Sequence, residues 1–194
     1  MNEIEKIKII REETGISLIE CQKACREAEG DIQRAKEILR KKGQALATKK
    51  VERKTGEGIV CSYIHQNNKV GVLLEIRCES DFMARSEEFK ILAKEITLQI
   101  AAMRPLFISD NDIPEEALEK EREIIQAQFQ KSEKPKEIID KIVEGKIASY
   151  FKENCLLFQP WIKDETKKIK ELIDEKIVKT GENITINRFI RYEI

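Results

Sequence analysis

The stretch RCESDFMARSEEF, residues 77–89, joins an apolar, strand-like run to an amphipathic helix. An acid and a large aromatic residue, Asp81 and Phe82, stand at the corner between the two. Turns favour small or polar residues that form local hydrogen bonds, a rule that Asp81 satisfies and Phe82 breaks. An aromatic side chain at such a corner either folds back into the core or is offered to a partner. Composition alone favours the core, whereas the rest of the chain favours a partner.

Strand patterns lie before this corner and at the end of the chain. Residues 58–65 are rich in strand-forming types, residues 66–69 have the composition of a turn, and residues 70–78 alternate. Because residues 184–194 alternate in the same way, the sequence predicts a three-stranded antiparallel sheet in which the last strand pairs with the hairpin. One face of this sheet stays exposed unless helices or a second subunit cover it. The apolar positions on one face of the second strand are Val70, Val72, Leu74, Ile76 and Cys78.

Helical periodicity fills the segment between the hairpin and the last strand, so the predicted fold class is α+β. Apolar spacing predicts a helix over residues 86–103, and another over residues 166–179. Proline in a first turn predicts a helix from Pro114 to about residue 131, and one from Pro135 to about residue 155. The positions predicted to point inward from the helix over residues 86–103 are Phe89, Leu92, Ala93, Ile96, Ile100 and Met103.

The first 43 residues predict three short helices, which form a small helical module of residues 1–45. Residues 46–57 are basic and poor in large apolar side chains, which is typical of a linker, so the body of the protein covers residues 58–194. Ser17 and Glu20 form a capping-box pattern at the start of the second helix. The third helix begins after Asp31 and is predicted to end at Gly43. The expected inward positions are Ile4, Ile7 and Ile10, then Leu18, Cys21, Cys25 and Ala28, then Ile32, Ala35, Ile38 and Leu39.

One apolar residue of the module does not fit these stripes. Ile19 lies about 100° around its helix from Leu18 and so falls off the inward face. Such a residue is either a contact point for a partner or an incidental exposed isoleucine, which is common.

The charge balance argues against nucleic acid and membranes as partners. The chain has 36 basic and 36 acidic residues in 194, so it has no net charge with which to attract polyanions. It contains no apolar run of the length that crosses a bilayer. Residues 1–6 are already amphipathic and include acids, so we expect no signal or transit peptide. The expected location is the cytoplasm.

The cysteines and the single histidine argue against a disulfide framework, a metal site and catalysis. Five scattered cysteines are typical of buried free thiols. Cys21 and Cys25 are one helical turn apart, but a closed zinc site needs about four ligands and His65 is far away in the sequence. There is also no phosphate-binding glycine loop and no nucleophile–base pair. The residues therefore predict a binding protein that needs no cofactor and catalyses no covalent chemistry.

Motifs spread over nearly the whole chain resemble one family. They are EETG (12–15), CQKA (21–24), GDI (30–32), LRKKG (39–43), SYIH (62–65), GVLLE (71–75), CESDF (78–82), VEGK (143–146), QPW (159–161) and RFIRYE (188–193). In these motifs the chain resembles bacterial elongation factor Ts, the guanine-nucleotide exchange factor for elongation factor Tu. The usual corner of that family is Thr-Asp-Phe-Val, from which Ser80 and Met83 are mild departures.

The resemblance implies a role for each predicted contact. The module would have a ubiquitin-associated-like fold and would dock on the nucleotide-binding domain of elongation factor Tu through Leu18 and Ile19. The corner residues Ser80, Asp81, Phe82 and Met83 would supply the exchange action. Phe82 would wedge between helices of the GTPase with Asp81 beside it, and together they would disturb the elements that hold Mg²⁺. His65 matches a second contact on another part of the partner.

The resemblance also implies an assembly. Longer members of the family have two similar half-bodies in one chain, whereas this chain predicts one sheet. Short members pair two chains, sheet against sheet, which agrees with the exposed face predicted above. A homodimer is therefore expected, in which one subunit offers Asp81 and Phe82 and the other offers His65.

Two other functions stay open at this point. The helical module alone would suit a ubiquitin-type binding adaptor, although that function would leave the corner and the body unexplained. A thiol or acid–base enzyme would use His65 with a cysteine, a pairing for which the sequence gives little support.

Overall fold

The computed structural model describes residues 1–129 and 135–194, and the fold is α+β, as predicted. The helices in this part of the chain are α1 (Glu3–Thr14), α2 (Leu18–Glu27), α3 (Ile32–Lys50), α4 (Asp81–Arg85), α5 (Glu87–Met103), α6 (Glu115–Ala127), α7 (Lys136–Asn154) and α8 (Ile169–Thr180). The strands are β1 (Glu57–Ile64), β2 (Val70–Cys78), β3 (Pro160–Trp161), β4 (Asp164–Lys168) and β5 (Ile184–Glu193), and two short 3₁₀ helices cover Asp110–Asp112 and Leu156–Phe158.

The predicted three-stranded sheet is present, in the order β1-β2-β5. Its hairpin turns through Asn68, which has a positive φ of 57°. The alternation predicted for β2 is confirmed, because Val72, Leu74, Ile76 and Cys78 are buried. A one-residue shift of register would move all of these side chains to the opposite face, so their burial fixes the register of β2.

The chain groups into two compact units. The first unit contains residues 1–59, 75–92 and 171–187, and the second contains residues 60–74, 93–170 and 188–194. The first unit therefore includes α1 to α3, the corner after β2 and most of α8. The division into a module, a linker and a body, with boundaries near residues 45 and 58, stays a prediction.

The first three helices form where the sequence predicts them, around a small core of their own. Gly15 ends α1 in the left-handed conformation, with a φ of 67°, and Asp31 caps α3 by accepting a hydrogen bond from the backbone N–H of Arg34. A capping box that the sequence analysis missed, Asn2 with Glu5, starts α1. The buried residues of this core are Ile7, Ile10, Cys21, Ala24, Cys25, Ala28, Ala35 and Leu39.

The predicted end of the third helix is wrong, since α3 continues through Gly43 to Lys50. Gly43 is buried against α8, and a β-carbon at this position would lie 3.1 Å from Cγ2 of Val178. The glycine therefore provides a close approach between two helices within the first unit, instead of the left-handed cap that ends a helix.

Three positions predicted to point inward are exposed: Ile4, Leu18 and Met103. Each lies in the first or last turn of its helix.

Other corrections concern element ends. The last helix begins at Ile169, not at Thr166, because residues 164–168 form β4 and pair with β3. The short α4 was not predicted as a separate helix; Ser86, with a ψ of 144°, separates it from α5. The predicted end near Lys131 lies outside the described residues, as does Lys134, while Pro135 stands directly before α7 as predicted.

Candidate functional site

The corner after β2 is a capped helix start. Ser80 is the N-cap of α4, and its Oγ accepts a hydrogen bond of 3.2 Å from the backbone N–H of Met83. Its carbonyl oxygen accepts hydrogen bonds from Ala84 N–H at 3.1 Å and from Sγ of Cys78 at 3.2 Å. Serine is favoured at this position because its side chain satisfies a backbone N–H that the first helical turn leaves without a partner.

The predicted contact residues of the corner differ in their exposure. Phe82 is 83% exposed, and Asp81 is exposed beside it with its carboxylate 3.2 Å from the Arg85 guanidinium. Met83, in contrast, is buried, as is Ala84. The corner therefore displays an aromatic ring and a carboxylate, while Met83 packs beneath them.

A distant glutamate holds Ser80 through both of its carboxylate oxygens. Oε2 of Glu182 accepts the Ser80 backbone N–H at 3.0 Å, and Oε1 accepts the Ser80 hydroxyl at 2.6 Å. Glu182 lies in the connection between α8 and β5, 102 residues away in the sequence. Hydrogen bonds to a charged acceptor are stronger than neutral ones, so this contact ties the corner to the rest of the first unit.

A second tie joins the same two segments. The Glu79 carboxylate accepts the backbone N–H of Asn183 at 2.6 Å and lies 3.5 Å from the Arg53 guanidinium. The buried side chain of Asn183 donates to the carbonyl of Arg53 at 2.9 Å, and Lys50 donates to the carbonyl of Gly181 at 2.7 Å. The loop that carries Glu182 is therefore itself fixed.

Cys78, the last residue of β2, lies directly before the corner. Burial, with smaller contributions from the negative charges of Glu182 and Glu57, raises the pKa of its thiol to about 11. A thiol with that pKa stays protonated at neutral pH and is therefore a poor nucleophile. Cys78 acts as a buried support that donates its hydrogen to Ser80.

The two module residues predicted as contacts are both on the surface. Leu18 is 54% exposed and Ile19 is 64% exposed, at the start of α2. The helix start is capped by Ser17, whose Oγ accepts the backbone N–H of Glu20 at 3.4 Å. Two adjacent apolar side chains on the first turn of a capped helix make a small apolar contact surface.

His65 belongs to the second unit and is exposed at the end of β1. Its Nδ1 lies 2.8 Å from the hydroxyl oxygen of Tyr63, and the two ring centroids are 6.0 Å apart. Its backbone N–H donates to the carbonyl of Val70 across the hairpin at 2.9 Å. The hairpin thus holds the backbone of His65 while the imidazole ring remains accessible.

The second unit also exposes an apolar face of the sheet. Ile64 contacts Gly71, so its side chain lies on the face opposite to the buried Val72 and Leu74. In β5, the guanidinium of Arg191 donates to the carbonyl of Ala101 in α5, so the neighbouring residues of the strand point away from that helix. The exposed apolar side chains on these strands are Val60, Ile64, Leu73, Ile190 and Tyr192.

Sequence reasoning missed Glu182, Glu79 and Asn183. The only local signal was the Gly181-Glu182-Asn183 sequence between a helix and a strand, which is typical of an ordinary helix end. Which distant serine a glutamate reaches is decided by tertiary structure, so a single sequence does not predict it.

The described residues contain neither a candidate metal site nor a candidate membrane span. Within them, no three or more histidine, cysteine, aspartate or glutamate side chains group in a way that could hold a metal ion. No helix in the same ranges combines the length and the apolar character that a membrane span requires.

Comparison with known proteins identifies the class to which this fold and corner belong. Residues 11–194 match the family model described as Elongation factor TS. The chain is 53% identical to elongation factor Ts of Thermotoga petrophila and 52% identical to that of Thermotoga maritima, over 98% of this chain and 95% of each relative. It is 52% identical to elongation factor Ts of Thermodesulfovibrio yellowstonii, over 98% of this chain and 94% of the relative. The chain belongs to the elongation factor Ts family.

Proposed function

We propose that this chain is a guanine-nucleotide exchange factor of translation, which binds GDP-bound elongation factor Tu and promotes release of the GDP. Membership of the family supports the choice of partner. The observation that carries the proposal is the exposure of Phe82 on a corner tied by Glu182 and Glu79. Large aromatic anchors that enter a pocket of the partner dominate the binding energy of many interfaces.

In the proposed mechanism, Phe82 inserts between helices of the GTPase domain with Asp81 beside it, and they disturb the elements that hold Mg²⁺. GDP depends on that ion, which bridges phosphate and protein oxygens. A factor that binds the nucleotide-free GTPase more tightly must weaken nucleotide binding by the same factor. The work is done by binding, and the mechanism asks for no covalent chemistry and no cofactor in this chain.

Asp81 can exchange its partner at little cost. Its contact with Arg85 is an exposed ion pair between residues one helical turn apart. Such surface pairs contribute about 0–1 kcal/mol. A cation or an N–H group of elongation factor Tu can therefore replace Arg85 without a large penalty. Ser80 and Met83 complete the contact segment, Ser80 as the cap and Met83 as the buried support.

The helical module would provide the docking contact. Leu18 and Ile19 would pack against the nucleotide-binding domain of elongation factor Tu, as the resemblance implies, and their exposure at the start of α2 supports this assignment. Because α1 to α3 have a core of their own, the pair is presented on a folded support. The ubiquitin-associated-like fold and the module boundary near residue 45 belong to this proposal.

His65 would make the second contact, with a different part of elongation factor Tu. The hydrogen bond with Tyr63 and the backbone bond to Val70 support this role, since together they orient an exposed ring.

A second copy of the chain would cover the open face of the sheet. The exposed side chains of Val60, Ile64, Leu73 and Tyr192 lie on neighbouring strands of the second unit, and apolar surfaces of this kind mark protein interfaces. In this homodimer one subunit offers Asp81 and Phe82, and the other offers His65. Sedimentation velocity tests the assembly, and a monomer at micromolar concentration would contradict it.

The protein would act in the cytoplasm, with no direct contact to nucleic acid or membrane.

Release of a fluorescent GDP from elongation factor Tu tests the function. The unmodified chain is expected to accelerate release, and Phe82→Ala to lower the maximal rate by about thirtyfold or more, since anchors of this kind are worth about 2 kcal/mol or more. Ile124→Ala is the matched control because it removes an exposed apolar side chain on α6 that the proposal does not use. Acceleration that survives Phe82→Ala would move the mechanism elsewhere, and no acceleration by the unmodified chain would refute the function.

A further inference from the structure

The contact between Glu182 and Ser80 fixes the direction of the hydrogen bonds that the Ser80 hydroxyl makes. A carboxylate only accepts hydrogen bonds, whereas a serine hydroxyl has one hydrogen to donate and lone pairs that accept. With Glu182 at 2.6 Å, the Ser80 hydroxyl donates its hydrogen to the carboxylate. Its lone pairs are then left to accept the N–H of Met83, which lies 3.2 Å away. The carboxylate therefore orients the cap of α4.

The orientation of this cap matters because α4 is too short to hold itself. It has five residues, and an isolated helix of that length is unstable in water. Its support comes from the Ser80 cap and from the burial of Met83 and Ala84. The direction in which Phe82 points depends on that support, since Phe82 itself is exposed and lies between the cap and the buried pair.

The residues on either side of Glu182 are themselves held by hydrogen bonds. The flanking residues Gly181 and Asn183 are held by Lys50, Glu79 and the carbonyl of Arg53. The carboxylate is consequently fixed before any partner arrives, and it does not have to be ordered on binding.

We infer that Glu182 is a positioning residue for nucleotide exchange: it holds Ser80 so that α4 presents Phe82 in the geometry required for insertion. This inference rests on the proposed function and adds a residue outside the contact segment. Glu182 acts through Phe82, by reducing the ordering that the wedge must undergo on binding.

The variant Glu182→Gln tests the inference with little change in shape. A carboxamide has one acceptor oxygen, so if that oxygen keeps the Ser80 N–H, its NH₂ group faces the Ser80 hydroxyl. The hydroxyl must then accept from that NH₂ group and turn its own hydrogen away from residue 182, so no charged acceptor fixes the orientation in which a lone pair meets the Met83 N–H, and the cap is weakened. Glu95→Gln is the matched control, since Glu95 is a half-buried carboxylate of the second unit paired with Lys163.

Two readouts are needed, one for exchange and one for the corner. Glu182→Gln is expected to lower the maximal rate of GDP release from elongation factor Tu by about tenfold, with little change in the half-saturating concentration. Hydrogen exchange at the backbone amides of Ser80 and Met83, followed by NMR, is expected to accelerate by about tenfold. Glu182→Ala, which removes both acceptors, should give larger changes in both readouts, and Glu95→Gln should change neither.

The background of Phe82→Ala separates positioning from general damage. If Glu182 acts through Phe82, Glu182→Gln has no further effect on exchange once the ring is removed. An equal loss in both backgrounds, a wild-type rate for Glu182→Gln, or unchanged amide exchange would each overturn the inference. If the unmodified chain releases no GDP, the proposed function fails, and the amides of Ser80 and Met83 alone decide whether Glu182 positions the corner.

Discussion

Two helix starts in the first unit use the same local device. In Ser17-Leu18-Ile19-Glu20 and in Ser80-Asp81-Phe82-Met83, the serine side chain accepts the backbone N–H of the residue three positions later. Both starts then expose apolar side chains within the first turn. A serine cap followed by apolar surface is thus repeated at the two places that the resemblance identifies as contacts.

The two starts differ in what holds them. The ten-residue helix α2 packs with α1 and α3 around a local core, whereas the five-residue α4 depends on Glu182, 102 residues away. The first surface is therefore stabilised by its own module, and the second by a long-range carboxylate. This difference is consistent with the proposal that the module docks on elongation factor Tu and the corner acts on its nucleotide site.

The largest effect expected from this comparison separates the affinity for elongation factor Tu from the maximal rate of GDP release. Replacement of both Leu18 and Ile19 by alanine should raise the half-saturating concentration for GDP release by about thirtyfold, since the two side chains together bury enough apolar surface for about 2 kcal/mol. The maximal rate should change little because Phe82 is intact. The rate of GDP release from elongation factor Tu, measured at increasing concentrations of the variant, gives both quantities.

The module offers a control for that double variant. Ile4 is an exposed apolar residue of α1, and Ile4→Ala should leave both quantities unchanged. If the double variant instead lowered the maximal rate as Phe82→Ala does, docking and action would not be separate, and the comparison of the two helix starts would fail.

The parts of the fold that depend on local pattern could be predicted from the sequence. The alternation of β2 placed its buried face correctly, and the caps at Ser17 and Asp31 marked two helix starts. The exposure of Ile19 followed from helical geometry alone. The exposure of Phe82 did not follow from composition, which favoured the core, and needed the resemblance of the whole corner.

The parts that depend on distant contacts could not be predicted. Gly43 looks like a helix end in sequence, but α3 passes through it, and the close approach of Val178 explains why a glycine stands there. The roles of Glu182 and Asn183 depend in the same way on partners about 100 residues or more away. Local patterns together with the resemblance thus pointed to the proposed contact residues, while the residues that hold the corner required the structure.

A smaller effect concerns the two caps themselves. Ser17→Ala should cost about 1 kcal/mol of stability, the usual value of an N-cap. Ser80→Ala should cost more, about 2 kcal/mol, because it also leaves one oxygen of the Glu182 carboxylate without its hydroxyl partner. Urea unfolding of both variants measures the difference. Equal losses would show that the Glu182 contact adds nothing to the cap.

The last effect compares the buried thiols beside the two helix starts, and it is the smallest at neutral pH because it appears only at alkaline pH. Burial raises the pKa of Cys21 in the module, and raises that of Cys78 at the corner from 9.0 to about 11. Since the folded chain keeps these protons longer than the unfolded chain, the contribution of Cys78 to stability is complete below about pH 9 and falls as the pH rises toward 11.

Cys78→Ala should therefore flatten the dependence of the unfolding free energy on pH between 9 and 11, whatever its effect at pH 7. Cys21→Ala should flatten it less, because the hydrogen bond with Thr14 and the positive charge of Arg11 lower the pKa of the Cys21 thiol against the effect of burial. Urea unfolding at several pH values in this window tests the order. If the unfolding free energy of Cys78→Ala changed with pH as that of the unmodified protein does, the prediction would be contradicted. The Cys78 thiol would then ionise as easily in the folded chain as in the unfolded chain, despite its burial beneath Ser80.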